Sequence, residues 1–311
     1  MTDMTKVLNA YRGMTVRNAK VFLKDKMAVF FSLLTQIIVL GLFLLFIKNS
    51  YIDTIDSVLG ELSDLVKKAD IEALVNSWMI AGVVGTATVT ASMDALSVMV
   101  SDKQEKIDYD YTASSVKSSV VVLSYFSGAV LCALITSLIL LTAGLVFLAL
   151  TGTFVLTAVE ILSMYGLVVL GSVSGTIILM SIISFFKKSS TFSAFSVMVS
   201  AAIGFVVGAY IPVSQFGETT QTIVNLVPGS QITALMRQML VAPTIENISK
   251  SLNGLDHGQF KEAAEQLFAI RLNLFGNEVD TTFMLIYSAA AIILFIALNI
   301  VLFRFSSRRK T

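Results

Sequence analysis

Apolar residues fall along this chain in two patterns, long uncharged runs and shorter periodic stripes. The run from Phe192 to Pro212, FSAFSVMVSAAIGFVVGAYIP, holds 21 residues without a charge. At a rise of about 1.5 Å per residue, a helix of that length crosses a hydrocarbon layer roughly 30 Å thick. Similar runs near residues 27–47, 77–100, 119–150, 155–186 and 282–303 bring the predicted spans to six. The third and fourth are longer than one crossing needs, so tilt or extension past the headgroups is expected. The short Thr151-Gly152-Thr153 turn separates them.

The stripes lie between and before the runs. Met4, Val7, Leu8, Tyr11, Met14, Phe22 and Leu23 keep roughly a helical period, with Lys6, Arg12, Arg17, Lys20, Lys24 and Lys26 on the remaining face. Residues 1–26 therefore predict a basic amphipathic helix lying on an anionic membrane surface, ahead of a transmembrane domain over 27–311. The following run is too long for a cleavable signal peptide. Residues 48–76 form an acidic loop whose stripe, Ile52, Ile55, Leu59, Leu62, Leu65, Val66 and Ala69, predicts a helix with one packed face. Trp78 then takes the place of an interfacial aromatic at the mouth of the second span.

Residues 213–281 make a second large loop. Its first part is too polar for a full crossing and too apolar for an ordinary exposed loop, and Pro228-Gly229 divides it into short helices, Thr219 to Leu226 and Ser230 to Leu240. A broken, re-entrant outer hairpin fits, since non-helical backbone at membrane depth must be buried in protein or line water. A wholly extramembrane loop is the other possibility. Phe260, Ala263, Ala264, Leu267, Ile270 and Leu274 predict a further outer helix.

Composition narrows the class. With 55% hydrophobic and 14% charged residues, and a mean hydropathy of +0.82, the chain reads as an all-α integral membrane protein. Lys and Arg exceed acids in the N-terminal helix, the Lys187-Lys188 pair and the tail, whereas acids dominate the two large loops. This places both termini in the cytoplasm of a multi-pass cell-membrane protein.

Little catalytic chemistry is present. One cysteine, Cys132, and one histidine, His257, exclude a disulfide framework and a His/Cys metal site. No phosphate-loop motif occurs, and no Ser/His/Asp set, so no catalytic residue, metal or bound cofactor is expected, and no nucleic-acid partner. Asp94 is the one acid well inside a span, and intramembrane acids are functional candidates by default. Its closeness to the cytoplasmic end suits a structural role equally. Gly171 with Gly175, and Gly204 with Gly208, have the spacing that lets helices approach closely.

The order of parts resembles the permease subunits of ABC transporters of the ABC-2 type: a basic interfacial helix, six spans, a charged connector between spans two and three, and a broken outer hairpin before the last span. The most specific stretch is GAYIPVSQFGETTQTIVNLVPGSQITALMRQML. In it Gly208, Pro212, Leu226, Pro228 and Arg237 stand where the family has a Gly and Pro closing span five, a Leu-x-Pro and a later Arg. The chain departs from the family at Gln215-Phe216-Gly217, where a Leu-Pro is common, and in a connector without Gly or Pro.

The resemblance implies a separate cytoplasmic ATPase subunit that uses ATP and Mg, and a second permease chain, identical or not. It implies contact with the ATPase through the N-terminal helix and through Asp102, Lys103, Glu105, Lys106, Asp108, Tyr109, Asp110 and Tyr111; taken alone, that connector reads as a solvated turn. The pathway for a drug, antibiotic, peptide or other amphiphile would run between spans one, two and five. Its polar candidates are Ser32, Thr35, Gln36, Thr88, Ser92 and Ser196. The hairpin around Pro228 would close the exit. A channel or ion-coupled carrier, or a non-transporting anchor or sensor, are the competing classes.

Overall fold

A computed structural model describes residues 3–114 and 116–308. The tail residues Arg309 and Lys310 lie outside them. In order, the helices are α1 Asp3–Lys24, α2 Lys26–Leu42, α3 Lys48–Leu59, α4 Lys68–Gln104, α5 Ile107–Ala113, α6 Ser118–Leu150, α7 Ala158–Ile183, α8 Ser189–Val206, α9 Glu218–Asn225, α10 Pro228–Leu252, α11 Gln259–Leu267 and α12 Thr281–Arg308. Six helical segments are long and apolar enough to cross a membrane, as the runs predict. The chain is a multi-pass, almost wholly helical membrane protein.

Several boundaries differ from those read in the sequence. A five-residue π-helical stretch, Phe43–Ile47, and a 3-10 turn, Gly60–Leu65, make α2 and α3 parts of one long helical segment. Residues 48–65 thus continue as helix and turn, and α3 buries Tyr51, Ile52, Ile55 and Leu59, the packed face that the stripe predicts. No Gly or Pro interrupts the backbone between Gly41 and Gly60, and the α-helix ends at Gly60, whose φ is +56°. Likewise α8 stops at Val206, and Gly208, at φ +68°, turns the chain before Pro212 is reached. The second piece of the broken hairpin runs to Leu252, twelve residues past its expected end, and carries Pro243 within it.

The second outer helix is shorter than predicted. Ile270 lies beyond the end of α11, and Leu274 ends β1, Leu272–Leu274, which pairs antiparallel with β2, Asn277–Val279. Phe275 and Gly276, at φ +52° and +78°, form the tight turn between them, with the two positive φ values that a hairpin of matching twist requires.

Helix α4 is the axis of the bundle. In its most apolar stretch 89% of residues are buried, against 17% for α2 and α8 and 6% for α12, so the other spans surround it. It packs against α6, α10, α7, α8 and α2, while α12 lies against α7 and α10. The run GTATVTAS, Gly85 to Ser92, explains this position. In lipid, small residues permit close approach and hydroxyls bond across helices, while large aliphatic side chains are as comfortable facing acyl chains. Gly85 lies against Thr233 of α10, and Gly171 and Gly175 of α7 lie against Thr88 of α4. The Gly171/Gly175 pair thus seats one helix on another. Gly204 lies instead beneath the ring of Tyr210 in its own chain, so Gly204 and Gly208 serve the turn after α8.

Two apolar clusters fill the bundle. One, toward the end carrying α5, joins Phe22, Met93, Leu96, Met99, Tyr125, Met180 and Ile183. The other, toward the cap formed by α3, α9, α10 and α11, joins Phe43, Tyr51, Trp78, Leu145, Met164, Leu240 and Phe268.

Candidate functional site

The connector end is built around Asp102, in the last turn of α4. The sequence offers it as a coupling residue on the surface, yet it is 3% exposed. Arg17 of α1 grips it with both terminal guanidinium nitrogens, Nη1 on Oδ2 and Nη2 on Oδ1, the latter at 2.9 Å. The Tyr125 hydroxyl of α6 donates to Oδ2 at 2.5 Å. Asn18 continues the set, its Nδ2 donating to Ser124 Oγ at 3.3 Å. The carboxylate holds the Arg17 guanidinium above its ordinary value, chiefly through the hydrogen bond. Nearby, burial raises the Tyr111 phenol.

The rest of this end is tied to the bundle through backbone groups left open at helix termini. Lys103 Nζ donates to the Ser184 carbonyl, just past α7, at 2.6 Å. Gln104 Oε1 accepts from the Ser189 N–H at the start of α8, also at 2.6 Å. Lys106, at φ +63°, then breaks the chain away into α5. Glu105, Lys106, Tyr109 and Asp110 are exposed and Tyr111 is half-buried. The Asp108 side chain lies outside what is described.

Helix α1 does not lie free along its length. Its second half packs on α6, with Tyr11 bonded to Ser127 at 2.7 Å and Thr15, Asn18 and Ala19 crossing Gly128 closely. Its first half, with Met4, Val7 and Leu8, stays exposed, and so does the outer face of the second, with Val16, Lys20 and Val21.

The six pathway candidates are not brought together. Gln36 is buried between α2 and α4, with Nε2 donating to Thr90 Oγ1 at 3.0 Å and Oε1 accepting from Thr86 at 2.9 Å. Thr88 and Ser92 face α7: Gly171 lies against Thr88, and Ser92 accepts from Thr176 at 2.9 Å. Ser32 is buried, Ser196 half-buried, and Thr35 exposed with its hydroxyl turned back on the Phe31 carbonyl. Asp94 is partly exposed on α4.

At the cap end Arg237 is fully buried on α10. Its guanidinium donates through Nη2 to the carbonyls of Val207 and Gly208, at 2.8 and 2.7 Å, and lies over the Trp78 ring at 5.7 Å. The open carbonyls at the end of α8 thus stand in for a counter-ion, at the negative pole of that helix. Trp78 sits in a box with Phe43, Tyr51 and Phe268, and its indole N–H donates to the Phe268 carbonyl at 3.2 Å. This tryptophan, read in the sequence as an interfacial ring, belongs to the core. Arg237 Nε and Nη1 have no protein partner. Pro212 and Pro228 are buried, and Leu226 is exposed.

Sequence reasoning missed Arg17 and Tyr125 as partners of Asp102, because a basic stripe and an apolar run carry no sign of which helices will cross. Neither models of known protein families nor curated proteins match this chain.

Proposed function

We propose that this chain is the membrane-spanning subunit of an ATP-driven exporter of the ABC-2 kind, with ATP hydrolysis in a separate cytoplasmic subunit. The observation that carries this reading is the construction of the connector end. A small exposed surface of mixed charge, Glu105, Lys106, Tyr109 and Asp110, follows directly on α4, the axis on which eight other helices pack. Through Asp102, Lys103 and Gln104 the base of that surface is fixed to α1, α6, the end of α7 and the start of α8. A subunit pressing on α5 and the exposed half of α1 would therefore act on the whole bundle rather than on a loose loop. Nucleotide-driven motion then favours one arrangement of the spans over another, as any such switch requires.

The hairpin also suits this role. Gly229, at the start of α10, packs against Val89, about halfway along the apolar run of α4. That neighbour shelters the α9–α10 break with protein, which supports reading it as a re-entrant segment. Helix α8 supports the second permease chain. Beside the exposed Val197, Met198 and Phe205 it carries the small residues Ser193, Ala194, Ala201 and Ala202 uncovered, which leaves room for the close approach of another helix.

Co-expression with candidate cytoplasmic ATPases tests this. Recovery of a phosphate-loop ATPase with the wild-type chain, and its loss with the charge reversals Glu105→Lys and Asp110→Lys, is the expected result. Solute movement without nucleotide consumption, or no ATPase recovered under any condition, would favour a carrier or a membrane anchor instead.

A further inference from the structure

One side of the cap carries an exposed apolar belt that runs directly into a span. In the most apolar stretch of α12 only 6% of residues are buried, so nearly all of this helix faces outward. Phe283 and Ile286 in its first two turns are exposed, and the Tyr287 ring stacks on Phe283 at 6.0 Å. The Tyr287 hydroxyl donates to the Leu226 carbonyl at 2.5 Å, which sets the end of α9 beside the second turn of α12. At 1.5 Å per residue, Tyr287 lies about 9 Å along the span from Thr281. Leu226 and Ile223 are both exposed, and at a spacing of three they share one face of α9. The polar start of that helix, Glu218 to Thr220, lies at its other end.

The β1–β2 turn extends the belt. The Phe275 N–H donates to Thr222 Oγ1 at 3.3 Å, which seats the turn on α9 next to Ile223. The Phe275 side chain is 74% exposed. Its φ of +52° is a conformation that two-residue turns usually give to Asn, Asp or Gly, and one that a bulky side chain enters only under strain. With so little of the ring covered, packing within the chain does not offset that strain. The backbone at the tip is nevertheless closed, because the Phe275 carbonyl accepts from Asn277 Nδ2 at 3.3 Å. The Leu226 carbonyl, open at the end of α9, is closed in the same way by Tyr287. Polar backbone groups satisfied by nearby side chains are what a turn needs in order to enter an apolar layer, where an open N–H or C=O is costly.

We propose that Phe275, Ile223 and Leu226 insert into the lipid leaflet at the cap end, at the boundary between headgroups and acyl chains beside α12. Lipid supplies the apolar surroundings that the fold withholds from the Phe275 ring, and Tyr287 stands where an amphipathic ring suits the interface. A contiguous exposed apolar surface marks contact with a membrane or a protein, and its continuity with the outward face of a span selects the membrane. The inference rests on the chain being a membrane protein and not on its energy source, so failure to recover an ATPase leaves it standing.

The test is tryptophan fluorescence of the full chain in phosphatidylcholine nanodiscs. Phe275→Trp and Ile223→Trp each add an emitter to the buried Trp78, and Leu255→Trp, at an exposed site in the turn after α10, is the aqueous reference. Brominated acyl chains quench emitters in lipid, and iodide quenches those in water. Most of the added emission at positions 275 and 223 is expected to be lost in brominated lipid and to survive iodide, with the reverse at position 255. Ile223 lies on a regular helix, so its variant carries the test even where a change at Phe275 disturbs the hairpin. Iodide quenching at 275 and 223 equal to that at 255 would overturn the proposal. Protection from both quenchers would overturn it too, because a second protein chain would then cover the belt.

Discussion

Asp102 shows how one buried charge is made tolerable. It accepts from Arg17 twice and from Tyr125 once, and charge-assisted bonds of this kind are roughly twice as strong as neutral ones. Removing the carboxylate alone leaves a guanidinium and a phenol without their acceptor. Asp102→Leu is accordingly expected to destabilise the chain by about 1–3 kcal/mol, a range kept low because a third of the Arg17 side chain still reaches solvent. Replacing both partners, Arg17→Met with Asp102→Leu, should cost less than the single change, since no unpaired charge remains. Denaturation in detergent, arranged as a double-mutant cycle, checks both statements. The Arg17 side of the pair adds no pH dependence near neutrality. Its folded value lies above the ordinary arginine value, so its contribution is present at every pH below that ordinary value and fades only as pH rises through the folded one. Of this trio only Asp102 was legible as a site in the sequence, and as a surface residue rather than a buried one, because a charged connector looks solvated until another helix crosses it.

At the scale of single elements, the glycines separate two causes of constraint. Gly152 and Gly208 have almost the same φ, +69° and +68°, but a Cβ at Gly152 would meet nothing within 4 Å. At Gly208 it would come within 2.7 Å of Val213 and 3.2 Å of Arg237. Gly152→Ala should therefore cost about 1–2 kcal/mol for the left-handed backbone alone. Gly208→Ala should cost more, because Arg237 must also give up its seat on the end of α8. Comparing the two melting temperatures tests this; equal losses would mean that the Arg237 contact is slack. The sequence marks Gly152 as a turn residue and Gly208 as half of a helix-packing pair, and only the packing of α10 against the end of α8 makes Gly208 the critical one. The β1–β2 hairpin shows the opposite limit. Ile270 and Leu274 fit a helical stripe that begins correctly in α11, and local periodicity gives no sign that Phe275-Gly276 will reverse the chain.

For the whole molecule, the arrangement of the ends is the testable matter. The second half of α12 lies beside the end of α7, where Asn299 donates to the Ile177 carbonyl at 3.1 Å and to Ser181 at 2.7 Å, so α12 runs toward the end of the bundle that carries α5, where Arg17 of α1 also packs. In a Cys132→Ala background, Gln259→Cys should react with a membrane-impermeant maleimide on intact cells, and Asp110→Cys only after permeabilisation; the reverse pattern would invert the proposed topology. What the sequence determined by itself is the set of six helices long and apolar enough to cross a membrane, because transfer of apolar side chains into lipid is a property of each segment taken alone. Which span becomes the axis was written only faintly, in the small and hydroxylated residues from Gly85 to Ser92. The pairing of Arg17 with Asp102, the burial of Trp78 and Arg237, and the seat of the β1–β2 turn on α9 were decided by tertiary structure. Each joins residues far apart in the chain, and such a contact acquires its energy only when packed helices have removed water and lipid from between them.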